Sequence, residues 1–144
     1  MSPQPFDRKD PMETITRSVR LGAEPDAVWA VVGDFARIAD WHPDVSAPEL
    51  RGAERVFADG LVERLVERDP GSRRLVYSMP QPPFPIRDHV ARLTVSGLED
   101  GTCEVTWSAS FNADPQVARE LEGALGDGVF ATGLAALTER FGGA

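Results

Sequence analysis

With one cysteine, the chain cannot form an internal disulfide, which fits a reducing compartment and makes the cytoplasm the expected location. That residue, Cys103, falls in an alternating strand pattern, where a free thiol is expected as a buried apolar group. No hydrophobic run approaches the roughly 20 residues needed to cross a bilayer. Residues 1–11 carry Arg8, Lys9 and three prolines but no apolar core, so they do not read as a signal peptide. They are expected as a disordered tail before a single domain over 12–144. Basic residues are outnumbered 15 to 23, giving a formal charge of -8, and they form no stripe. An acidic surface of this kind excludes nucleic acid as a partner and opposes stable membrane association. The two histidines, His42 and His89, lack the neighbouring cysteines or spaced carboxylates of a metal site. No G-x-G-x-x-G, P-loop or G-x-S-x-G pattern occurs, so nothing calls for a cofactor or for serine-hydrolase chemistry.

What is present is a globular composition, 42% hydrophobic and 26% charged over 144 residues, enough for one substantial core. The β-branched alternation of Met12 to Leu21 predicts a strand. Pro25 suits a first helical position, and Val28, Trp29, Val31 and Val32 form an apolar stripe that Gly33 interrupts. A second short helix, about Phe35 to Trp41, stops before Pro43. From Val45 to Asn112, turn signals at Asp59-Gly60, Asp69-Pro70-Gly71, Pro80 to Pro85 and Glu99-Asp100-Gly101 punctuate an antiparallel meander. Its last two strands have the clearest faces. His89, Ala91, Leu93 and Val95 oppose Asp88, Val90, Arg92 and Thr94, while Cys103, Val105, Trp107, Ala109 and Phe111 oppose Thr102, Glu104, Thr106, Ser108 and Ser110.

A final helix is predicted from Asp114-Pro115, with Phe130, Leu134, Leu137 and Phe141 at helical spacing. Its apolar face needs the dry face of the meander. The order strand, two short helices, six strands, long helix closes as an α+β helix-grip fold, a curved antiparallel sheet of six to seven strands around the C-terminal helix. Gly123, Gly126, Gly128 and Gly133 are poor helix formers and either thin the helix where something else must fit or kink it.

Particular segments carry a resemblance: Pro25-Asp26-Ala27-Val28-Trp29, Trp41-His42-Pro43-Asp44-Val45, Val62 to Asp69, Leu75-Val76-Tyr77, Pro85 to His89, and Gly133 to Leu137. The chain resembles the START-like, Bet v 1-like superfamily, in particular its bacterial SRPBCC polyketide cyclase/dehydrase branch, over about residues 12 to 142. The resemblance implies a ligand cavity between sheet and helix. It also implies that Glu63 faces inward on one wall with Tyr77 and His89, a register that periodicity alone leaves open. In similar proteins a tyrosine often occupies the His89 position.

An inward Glu63 is a carboxylate in apolar surroundings, where desolvation raises the pKa toward the range of a general acid or base; a hydrogen-bonded structural role is the alternative. His89 is either a satisfied core histidine or, with Glu63 and Tyr77, part of a polar cluster on an apolar wall. Trp41 and His42 are expected near the cavity mouth, and the loop Pro80 to Pro85 with Phe84 is a rigid connection or a lip. Trp107 is core or a stacking platform. The expected lining is Trp41, Glu63, Tyr77, Met79, His89, Leu93, Val105, Trp107, Phe130 and Leu134, with Glu63, His89 and Tyr77 as the catalytic candidates. Three functions fit. The leading one is a protein that binds a small hydrophobic or aromatic molecule; the others are a cyclase or dehydratase using Glu63 and His89, and a partner-binding module with a vestigial cavity. The oligomeric state, monomer or homodimer, stays open.

Overall fold

The computed structural model describes residues 10–144, so most of the expected tail, residues 1–9, lies outside the described residues. Asp10 and Pro11 are described: the Pro11 carbonyl accepts a hydrogen bond from Ala113 N–H at 3.2 Å.

Seven strands form one antiparallel sheet: β1 (Met12–Leu21), β2 (Glu49–Arg51), β3 (Glu54–Val56), β4 (Val62–Asp69), β5 (Arg74–Ser78), β6 (Arg87–Gly97) and β7 (Cys103–Asn112). Their spatial order is β1-β7-β6-β5-β4-β3-β2, a meander with the first strand added beside the last. The dry faces follow the period-2 pattern. Ala91, Leu93 and Val95 pair across with Ala109, Trp107 and Val105, and all six are buried. Between β1 and β2 lie α1 (Pro25–Val32), which buries Val28, Trp29 and Val32, and a 3-10 helix (Phe35–Asp40) whose Asp34 side chain caps Ala36 N–H.

Two bulges bend this sheet. In β4, Leu65 pairs with Tyr77 and Glu67 with Val76, so Val66 is an extra residue, 59% exposed. In β6, Arg87 pairs with Asn112 and Val90 with Ser110, so Asp88 and His89 together face one partner residue. Asp88 takes φ 56°, a left-handed conformation that Asp tolerates, and its Oδ2 accepts from Asn112 Nδ2 at 2.8 Å. The bulge shifts the alternation by one, so both Ile86 and His89 point inward.

The C-terminal helical path runs from the Asp114 cap to Phe141 in three parts: α2 (Pro115–Leu121), a π-helical stretch over Glu122–Ala131, and α3 (Thr132–Phe141). The sequence predicts a helix here but not the change of winding. The wide π turns coincide with Gly123, Gly126 and Gly128, whose backbone tolerates them. Gly126 and Gly133 do thin the helix. A Cβ on Gly133 would sit 2.7 Å from His42 and 3.0 Å from Trp107 and Trp41, and one on Gly126 would sit 2.5 Å from the Arg17 guanidinium. Around Gly123 nothing lies within 4 Å, so its absent side chain makes room for no neighbour. No helix among the described residues is long and apolar enough to cross a membrane.

Candidate ligand-binding site

Between the inner face of the sheet and the π-helical stretch lies a cavity of about 390 Å³, within the range of small-molecule sites. Its floor is Glu63 from β4, Tyr77 from β5, His89 from β6 and Trp107 from β7; Ala124, Leu125, Val129 and Phe130 form its roof. The mouth carries Asp44, Val45, Ser46, Asp59 and Phe84. Phe130 stacks on Trp107 with ring centroids 4.6 Å apart.

The polar floor depends on a residue that the sequence reading missed. Arg55, on β3, is 2% exposed and lies beside Glu63, 7% exposed, because β3 and β4 pair in register with Arg55 opposite Glu63. Arg55 Nε donates to Glu63 Oε1 at 2.8 Å, and its Nη2 lies 2.7 Å from the same oxygen. Nη1 donates to the Phe35 carbonyl at 2.7 Å, and the guanidinium sits over the Phe35 and Tyr77 rings at 4.0 and 4.9 Å. Burial pushes the Glu63 carboxyl above its ordinary value, and the Arg55 charge opposes that push. Protonating Glu63 would strand the Arg55 cation in the interior, at a cost of several kcal/mol, so the carboxylate persists at neutral pH. Both Arg55 contacts fall on Oε1. Oε2 takes no hydrogen bond among the described residues and is left to the cavity that Glu63 lines.

His89, 4% exposed, accepts a hydrogen bond at Nδ1 from Met79 N–H at 3.1 Å. The neutral ring therefore carries its proton on Nε2, which has no protein partner among the described residues and borders the cavity. Burial lowers its pKa from 6.5 to about 4, so the ring is neutral at pH 7. The Tyr77 hydroxyl accepts from Trp107 Nε1 at 3.0 Å, and burial with the nearby Glu63 charge pushes it well above its ordinary value. The cavity floor thus offers one acceptor, Glu63 Oε2, and two donors, His89 Nε2–H and the Tyr77 O–H, whose oxygen is taken by Trp107.

Of the expected lining residues, Glu63, Tyr77, Met79, His89, Trp107 and Phe130 come together around this cavity. Four others lie elsewhere. Leu93 and Trp41 border a separate void of about 10 Å³ behind Tyr77 and Trp107, where Trp41 Nε1 has no partner. Val105 is in the core, one pleat repeat from Trp107 along β7, and does not line the cavity. Leu134 borders a shallow groove between β1 and α3. The expectation for His42 also needs correction. Rather than standing at the mouth it is 1% exposed: Nδ1 accepts from Asp44 N–H at 3.2 Å, so the Nε2 proton is donated to the Val129 carbonyl at 2.7 Å. It ties the 3-10 helix to the π-helical roof. Cys103 is buried, and burial pushes its thiol up, as suits a core residue.

A curved antiparallel sheet holding a C-terminal helix over an internal cavity defines the helix-grip class. Residues 12–142 match the family described as polyketide cyclase / dehydrase and lipid transport, and the chain belongs to it. It is similar to a Thermobifida fusca protein solved by NMR, with 56% identity, TM-score 0.85, and coverage of 90% of this chain and 93% of that one. It is also similar to XoxI from Bacillus cereus, with 28% identity, TM-score 0.77 and coverage of 89% and 94%. Norcoclaurine synthase from Thalictrum flavum shares the fold at 16% identity, TM-score 0.73 and coverage of 92% and 95%. Among curated proteins no significant match is found.

Proposed function

We propose that this protein binds a small hydrophobic or aromatic molecule in the cavity between sheet and helix. The observation that carries the reading is the cavity itself: about 390 Å³, walled by Trp107, Phe130, Leu125, Met79 and Phe84, with only a few polar groups. A vestigial cavity would be filled by its own side chains, and this one is open. Proton transfer is most efficient when the catalytic pKa lies near the working pH. His89 at about 4, a Tyr77 hydroxyl pushed up, and a Glu63 engaged by Arg55 are groups suited to orienting a ligand rather than shuttling a proton.

Burying about 300 Å² of apolar ligand surface is worth roughly 7 kcal/mol, against an association cost of at least about 4. Apolar contact alone therefore gives binding only in the millimolar range, and tighter binding draws on the polar floor. The test is titration with N-phenyl-1-naphthylamine, an uncharged fluorophore, on the parent and on Ala124→Phe, which fills the roof. Saturable one-to-one binding that the substitution abolishes, with the fold retained, is expected. No saturation, or unchanged affinity in Ala124→Phe, would refute the reading.

A further inference from the structure

The charge inventory of the cavity is one-sided. Its lining includes Asp44 and Asp59 at the mouth and Glu63 on the floor, but no arginine or lysine. Lys9 is the chain's one lysine, so no lysine occurs anywhere in residues 10–144. Arg55 is the cation nearest the floor. It sits behind Glu63 rather than in the lining, and two of its nitrogens contact the Glu63 carboxylate while a third holds the Phe35 carbonyl. The His89 ring is uncharged and presents N–H. An anionic head group entering this cavity would pass two exposed carboxylates and reach a third, the buried Glu63, where no cation is free to meet it and the repulsion is poorly screened.

Two polar atoms of the buried Glu63 and His89 side chains border the same space with no protein partner among the described residues, beside the Tyr77 hydroxyl, whose proton also has no acceptor there. Glu63 Oε2 is an acceptor whose partner oxygen is fixed by Arg55, and His89 Nε2–H is a donor whose opposite nitrogen is fixed by Met79 N–H. Each is held in orientation by a buried bond on its far side. A head group that both donates and accepts satisfies the pair; a hydroxyl does both with one oxygen.

We infer that the cavity selects aromatic ligands with a non-anionic, hydrogen-bond-donating head, a phenol above all, and rejects carboxylates. This rests on the binding reading proposed above and specifies its ligand class. Glu63 is the group that recognises the donor, and Arg55 is the positioning residue that holds the carboxylate charged.

The test uses two-ring probes of matched shape on the intact protein, by isothermal titration calorimetry or by Trp107 quenching: 2-naphthol, 2-methylnaphthalene, 2-naphthylmethylammonium and 2-naphthoate. Expected is 2-naphthol about tenfold or more tighter than 2-methylnaphthalene, as for a hydrogen bond to a charged acceptor. 2-Naphthoate should bind at least about tenfold more weakly than 2-naphthol. The ammonium probe, which donates but cannot accept from His89, should bind no more tightly than the naphthol; tighter binding would overturn the preference for a phenol. In Asp44→Asn/Asp59→Asn, surface substitutions that leave the core untouched, the ratio of naphthoate to naphthol affinity should rise several-fold. Equal affinity for 2-naphthol and 2-methylnaphthalene, or 2-naphthoate binding as tightly as 2-naphthol, would overturn the inference while leaving aromatic binding intact. Failure of all four probes, 2-methylnaphthalene included, would overturn the binding reading and the inference with it.

Discussion

Replacing Arg55 by Met tests whether the buried pair organises the floor of the cavity. The substitution removes the counter-charge from a carboxylate that is 7% exposed and leaves the Phe35 carbonyl without its donor. Breaking one partner out of a buried pair costs about 3–5 kcal/mol, because the remaining charge is stranded. Removing both charges with Arg55→Met/Glu63→Met leaves no ion to solvate, and similar replacements elsewhere are neutral or stabilising by about 1–4 kcal/mol. Urea unfolding of parent, single and double variants at pH 7 measures this directly. The single variant should lose several kcal/mol and the double variant should recover most of it. In the single variant the folded Glu63 pKa stands further above its unfolded value. Stability relative to the parent is therefore retained at pH below about 4.3 and lost as pH rises through the folded value. A single-variant loss under about 1 kcal/mol, or a double variant no more stable than the single, would refute the reasoning.

His89 gives the opposite pH dependence. Its folded pKa lies below the unfolded one, so its contribution is complete above pH 6.5 and is lost as pH falls toward about 4, amounting to roughly 3 kcal/mol; His89→Phe should flatten that slope in a series of denaturant melts. Gly133→Ala should cost about 1–3 kcal/mol, since the new methyl meets the His42, Trp107 and Trp41 rings, whereas Gly123→Ala, with open space around it, should gain up to about 1 kcal/mol; thermal melts of the two decide. Of the three tryptophans only Trp107 lines the cavity, with Trp41 5.5 Å behind it, so quenching by a bound aromatic should fall in Trp107→Phe, and quenching equal to the parent's would move the ligand elsewhere.

The strands and the helix were legible because their faces are regular. The bulge at Asp88–His89, however, is invisible to period-2 reading, since His89 keeps phase with Ala91, Leu93 and Val95 and the break falls just before it. The inward register of Glu63 came from the resemblance, because β4 alternates Leu and Val on both faces. Arg55 was missed for a physical reason. It sits in a three-residue strand between Glu54 and Val56, where a charged residue ordinarily reads as solvated. One signal was available: a hairpin turning at Asp59-Gly60 brings residues about equally far from the turn together, and Arg55 and Glu63 satisfy that. The π winding was legible only as an excess of glycine, since composition does not distinguish a thinned helix from a widened one.

The same features that escaped the sequence reading are those that keep the cavity open. A regular sheet against a regular helix would let the Trp107 face and the Phe130 face close completely, as interiors ordinarily do. Here the bulges at Val66 and Asp88 bend the sheet, and the π-helical stretch sets Leu125, Val129 and Phe130 at a wider spacing over it. Gly133 lets the helix press directly on Trp41, His42 and Trp107 beside the cavity, and His42 fastens the roof through the Val129 carbonyl. The roof is thus anchored at its C-terminal end by a buried bond and along its outer side by Arg17, which reaches Glu122 and Asp127 at 3.1 Å each. The Arg17 contacts are exposed and individually worth little. The roof is therefore held more firmly at its His42 end than along the Arg17 side.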